Sequence, residues 1–341
     1  MIKPVHWPYQ EGDMQTLWIM VALGLLFGQA ATGYRVIGDI KIGGEGGWDY
    51  LTVDSAARRL YVSHATHVVV VDLDARKIVG DIPDTPGVHG IALAPELNKG
   101  FISNGRANTV TVFDLKTLKT TGTAMTGENP DSIRYDPVSG RVFAFNGRSK
   151  SATVIDAKNG NVVATIALVG KPEFSVADGR GKVYVNIEDT NELVELDAAK
   201  AVVVKKYSLS PCSGPSGLAI DVKNRRLFSA CSNRLLAVSD PDTGKVVATP
   251  PIGAGSDGAA YDPGTGYAFT SNGDGTLTVV RQVGAAWEVV ENIATERGAR
   301  TIVVDEMTHN LYLPTAKIAQ APGGGRPSFI PDSFTVLVVG K

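Results

Sequence analysis

The sequence predicts an all-β chain folded as a seven-bladed β-propeller of four-stranded antiparallel blades, its ring closed by the N-terminal strand. Three observations predict it. One strand–turn–strand phrase recurs seven times, at the period of a propeller blade. Its apolar residues alternate with the period of a strand. The two ends of the repeat array are complementary. Composition agrees: 341 residues carry 38 Gly and 43% hydrophobic residues, and no long run of helix formers follows residue 30.

The phrase is an apolar triplet, an Asp or its equivalent, a short turn and an aromatic-rich strand. Its copies are LTVDSAARRLYVS (51–63), IALAPELNKGFIS (91–103), IRYDPVSGRVFAF (133–145), FSVADGRGKVYVN (174–186), LAIDVKNRRLFSA (218–230), AAYDPGTGYAFTS (259–271) and IVVDEMTHNLYLP (302–314). The anchor positions are Asp54, Ala94, Asp136, Ala177, Asp221, Asp262 and Asp305, at intervals of 40, 42, 41, 44, 41 and 43 residues. A third strand follows each phrase, as in HVVVVDLD (67–74) or TVTVFDLK (109–116), and then a fourth, as in KIVGDIP (77–83) or VVATIALVG (162–170). Each repeat thus supplies strands A to D. The seventh runs out after strand C, residues 334–339, while residues 34–43 (YRVIGDIKIG) have the pattern of a strand D and precede the first strand A. Pairing the two closes the ring and leaves no unpaired blade edge at the termini.

The first 30 residues read as a targeting segment. Residues 17–27 (LWIMVALGLLF) form an apolar run of eleven, shorter than the roughly 20 residues a membrane span needs. Gly28 and Ala30 supply small residues for cleavage after Ala30. Lys3 is the only Lys or Arg before that run, and a start at Met14 would remove it. A signal peptide over 1–30, a single propeller domain over 31–341, a periplasmic or secreted location and no membrane span in the mature chain are expected.

RLYVS (59–63), the run of 104–114 with its TVTVFD, and the turns leading to VVAT at 162–165 and 246–249 resemble the YVTN-repeat, YncE-like propeller family. The resemblance covers the chain after residue 33. It implies an exported bacterial protein and a scaffold, and it leaves activity open, since fold does not imply function.

In a propeller, the D–A and B–C connections meet on one face around the central channel. The residues placed just before each strand A are Asp49, His89, Asp131, Glu173, Ser216, Asp257 and Arg300, with the fourth blade read as one residue short in its KPEF segment. Four acids crowded at a channel mouth repel one another, and a hard cation relieves the repulsion. Asp131, Glu173 and Asp257 are the candidate ligands of a divalent cation, Ca or Mg. Against this, Asp and Ser near turns commonly bond local backbone. His89 is the candidate general base if the protein is an enzyme. The B–C loops add His64, His67, Asn104, Arg106, Asn146, Arg148, Asn186, Glu188, Ser232, Asn272, Asp274 and Lys317, and Asn-Gly at three of these loops is a hairpin signal. The last B–C loop, 317–333, carries Gly323 to Gly325 and three prolines. It is a candidate lid, with Phe329 and Ile330 as its contact residues, or a mobile excursion. Cys212 and Cys231 map to one face of one blade, so a disulfide is expected, and export favours its oxidation.

Several classes are excluded or unsupported. A net charge of −2 offers no field for nucleic acid. There is no CxxCH haem motif, no phosphate loop and no GxSxG elbow on a strand-to-helix turn. The leading reading is an exported binding or scaffold protein, expected to be a monomer, acting on a protein or small-molecule partner through the channel face. The alternative is a metal-dependent lactonase- or lyase-type enzyme at the channel mouth. A redox partner is a third reading that no residue selects.

Overall fold

The structure is a computed structural model and describes residues 31–319 and 328–341. The signal peptide expected over 1–30 lies outside the described residues, as does the middle of the 317–333 loop. Seven four-stranded antiparallel sheets form the ring. In blade 1, strands A to D are Leu51–Asp54, Arg59–His64, His67–Asp72 and Lys77–Ile82. Blades 2 to 6 repeat this order over 88–125, 130–167, 172–208, 215–248 and 256–294. Among the described residues the only helical piece is a single turn at Pro95–Leu97, and no helix is long and apolar enough to cross a membrane.

The ring closes as the repeat ends require. In blade 7 the order is Val303–Asp305, Asn310–Thr315, Thr335–Gly340 and then the N-terminal strand Arg35–Lys41. Arg35 faces Gly340 and Lys41 faces Thr335 across this last pair. Ile40 is buried on blade 7, and the Tyr34 ring meets Phe269 of blade 6 edge-on at 5.3 Å. The Tyr34 hydroxyl donates to the His309 carbonyl at 3.0 Å.

Burial explains why strand C reads as an unbroken apolar run. His67–Asp72 buries its four valines on both faces, because another blade packs on each side. Strand D is outermost, so Lys77–Ile82 buries only Ile82 and leaves Ile78 and Val79 exposed. The apolar interior is therefore distributed. Seven clusters each fill one seam between neighbouring blades, from Tyr61, Ile82, Ile102 and Phe113 at blades 1 and 2 to Leu51, Leu60, Tyr312 and Val336 where blade 7 meets blade 1.

The anchor aspartate turns the chain from strand A into strand B. Asp54, Asp136 and Asp221 accept the backbone N–H three residues on, at 2.8, 2.8 and 3.0 Å. Blade 4 requires a correction: its anchor is Asp178, not Ala177. Asp178 Oδ1 accepts the N–H groups of Arg180 and Lys182, and strand B starts at Lys182. The missing residue is in this A–B turn, not in KPEF. The same aspartates tie seams together. Arg58 Nη1 donates to Asp305 at 2.7 Å, Arg225 Nη1 to Asp178 at 2.9 Å, and His309 Nδ1 lies 3.0 Å from Asp262. Each donor comes from the next blade round the ring.

Cys212 and Cys231 form a disulfide with Cα atoms 5.8 Å apart. It joins the connection before blade 5 to the end of strand B of that blade.

Candidate ligand-binding site at the channel mouth

Each strand A enters the channel from the same face, so the residue just before its regular pairing points into the mouth. The structure places Asp49, His89, Asp131, Glu173, Ser216, Asp257 and Arg300 around one cavity of about 410 Å³. Once Asp178 is the anchor, all seven stand five positions before their anchors. Lys171, Glu188 and Ser232 line the same cavity.

The seven do not act alike. Asp49, His89 and Asp131 form one group, each offering a ligand atom within 4.8 Å of the others. His89 Nδ1 lies 2.6 Å from Asp49 Oδ2 and 3.8 Å from Asp131 Oδ1. Asp131 Oδ1 is buried and has no hydrogen-bond partner among the described residues. Glu173 is taken by Lys171, whose Nζ sits 2.6 Å from it and 2.5 Å from Glu188. Asp257 is taken by Arg300 Nε at 3.0 Å and by the Ser216 hydroxyl. Of the three expected cation ligands, Asp131 is thus in the open cluster, while Glu173 and Asp257 already have cationic or hydroxyl partners.

The electrostatics follow from crowding in a desolvated place. Burial raises the Asp131 carboxyl, the charge of Asp49 raises it further, and His89 and the Tyr50 hydroxyl only partly oppose this. Glu173 is pushed up by burial and by Asp131, against the pull of Lys171. Asp257 is also pushed up by burial and then by Asp49, with Arg300 and Ser216 opposing. Burial alone would lower His89. Its hydrogen bond to Asp49 and the charges of Asp131, Asp49 and Glu173 outweigh that and bring it to about 9. At neutral pH the imidazole is therefore cationic when the mouth is empty, and it stands in for the positive charge the carboxylates need. In that state it holds a proton that a general base would have to lack.

Tyr50 and Phe174 form the floor. They occupy the same strand position, where other blades carry Gly90, Ser132, Gly217, Gly258 and Thr301. At Gly217 a Cβ would come within 2.6 Å of the blade 6 backbone, so the inner strands leave no room there. The two aromatic rings meet edge-on with centroids 4.9 Å apart. Tyr50 borders both the mouth and the chamber beneath it.

The B–C loop residues mostly have structural partners. The Asn104, Asn146 and Asn272 amides each donate to two threonine or serine hydroxyls of their own hairpin. Asn186 donates to the Ser216 and Gly217 carbonyls of blade 5. His64 is buried against Phe334 rather than in the mouth. In the last loop, Ile318–Ala319 pairs with Ser328–Phe329. Phe329 lies 4.7 Å from Trp48, which stacks on Phe334 at 5.1 Å. The loop base thus packs on Trp48, the sequence neighbour of Asp49, and Phe329 keeps an exposed face. Lys171 is the mouth residue that counting back from the anchors does not find, since it precedes strand A and arrives with KPEF.

No family model matches the sequence, and no curated protein matches it. Solved structures do match by shape. Hydrazine synthase of Kuenenia stuttgartiensis aligns with a TM-score of 0.68 at 14% identity, over 78% of this chain and 92% of that one. The structure of U3-55K aligns at 0.72 and 10% identity, over 90% and 98%. The WD40 repeats of RRP9 align at 0.72 and 9% identity, over 92% and 99%. At these identities the likeness establishes the propeller fold and nothing about ligands.

Proposed function

We propose that the protein is a binding propeller that acts through its channel mouth, and that the mouth holds a divalent cation at Asp49, His89 and Asp131. The observation that carries this reading is the buried Asp131 oxygen left without a hydrogen bond beside a second carboxylate and an imidazole. Binding displaces the imidazole proton and gives both carboxylates a nearby positive charge. Two carboxylates and one imidazole suit Zn²⁺ or Mn²⁺ better than Ca²⁺ or Mg²⁺, whose sites are all oxygen. Glu173 and Asp257, held by Lys171 and Arg300, would meet the polar groups of a ligand on that ion.

The proposal includes membership of the YVTN-repeat, YncE-like family and an exported location. The repeat residues support the first. The disulfide is compatible with an oxidising compartment and supports the second. Calorimetric titration with Zn²⁺ and Mn²⁺ tests the cation site. Binding with proton release, lost in Asp131→Asn, is expected. Equal binding by Asp131→Asn, or none by the wild type, overturns the assignment.

A further inference from the structure

Beneath the Tyr50–Phe174 floor the channel continues as a chamber of about 270 Å³. Its lining mixes apolar residues, among them Leu51, Ile91, Ile133, Leu218 and Ile302, with polar ones, among them Thr52, Ser132 and Arg134. One strand position further in, six blades carry Thr52, Ala92, Val176, Ala219, Ala260 and Val303. Blade 3 carries Arg134 there. The guanidinium is the odd member of this tier of small and apolar side chains.

Arg134 is held on one side only. Its Nε and Nη2 donate to the Ser175 carbonyl at 3.0 and 2.7 Å. Its charge lies 5.7 Å above the Phe174 ring. Nη1 has no hydrogen bond, and no carboxylate pairs with the group among the described residues. The residue is half-buried, and desolvation lowers its pKa to about 10, so it stays charged at neutral pH. A partly desolvated guanidinium without a carboxylate gains from an anionic partner. The carboxylate lining the chamber is Glu306, on the exposed turn after strand A of blade 7.

We propose that this chamber is a second ligand site, which takes a small monocarboxylate whose apolar body fills the chamber and whose carboxylate pairs with Arg134. The free guanidinium edge supplies charge-assisted hydrogen bonds of a kind suited to a carboxylate. The aliphatic part of the lining contributes buried hydrocarbon contact. The ligand reaches the chamber from the face bearing Glu306, because the opposite end is floored by two aromatic rings. The site does not depend on the cation proposed at the mouth.

The probe is hexanoate, titrated calorimetrically into the full chain, with hexanol and hexylammonium as controls. Hexanoate is expected to bind in the millimolar range or tighter, and hexanol about tenfold or more weaker, the worth of one charge-assisted pair. Arg134→Gln, which keeps an amide donor for the Ser175 carbonyl and removes the charge, is expected to bring hexanoate down to the level of hexanol. Equal binding of hexanoate and hexanol by the wild type overturns the proposal, as does no binding of hexanoate at about 10 mM. Undiminished binding by Arg134→Gln overturns it too. The wild-type comparison decides the matter alone if that variant does not fold.

Discussion

Removing Arg58 tests how the ring is held at the seam between its last and first blades. Its Nη1 lies 2.7 Å from Asp305, a carboxylate with no exposed side-chain surface, and its Nη2 lies 3.0 Å from Asp74, which is two-thirds exposed. The contacts differ in worth. An exposed ion pair contributes about 0–1 kcal/mol. Taking the partner from a buried carboxylate costs about 3–5 kcal/mol, because the charge left behind is uncompensated. Asp305 keeps the Thr308 hydroxyl at 2.7 Å and the Met307 amide at 3.2 Å, which places Arg58→Ala at the lower end, about 3 kcal/mol. Burial would raise the Asp305 carboxyl, but Arg58, Ser55, Thr308 and Met307 together bring it below its usual value. A lowered carboxyl stabilises the fold above its unfolded pKa, and that stability is lost as pH falls through the folded value. The gap between wild type and Arg58→Ala in urea unfolding should therefore be full at neutral pH and shrink below about pH 4. Asp74→Ala should cost under about 1 kcal/mol. An Arg58→Ala loss no larger than that of Asp74→Ala, or one constant with pH, would refute the reasoning.

Two further predictions concern closure and stapling. Deleting residues 34–43 removes the outer strand of blade 7 with buried Tyr34 and Ile40, and should cost about 4 kcal/mol or more from the apolar area alone; an unchanged melting temperature would contradict it. Replacing Cys212 and Cys231 by serine opens a 19-residue loop and should lower stability by about 3 kcal/mol on the chain-entropy model, read as a shift in the urea midpoint.

The ring was legible because its signals are repeated and local. Asp54, Asp136, Asp221, Asp262 and Asp305 mark the same turn in five blades, and strand alternation fills in between them. The fourth blade misled because Ala177 and Asp178 are adjacent and the turn after them is a residue short. Only the hydrogen bonds of Asp178 show which is the anchor. The set of mouth residues follows from the repeat, since equivalent positions in equivalent blades point alike. Their pairing does not follow. Lys171 neutralises Glu173 and Arg300 neutralises Asp257 through side-chain reach, which no residue spacing encodes. The Arg134 chamber is legible in retrospect as one charged residue in an apolar tier, but its meaning needs the Tyr50–Phe174 floor that closes it off from the acids above.

The cation proposed at the mouth is tested most directly by anomalous scattering from crystals grown with Zn²⁺ or Mn²⁺. The account predicts one strong peak about 2.0–2.2 Å from a carboxylate oxygen of Asp49, a carboxylate oxygen of Asp131 and a ring nitrogen of His89. An empty mouth, or a peak confined to exposed carboxylates elsewhere on the ring, would contradict it.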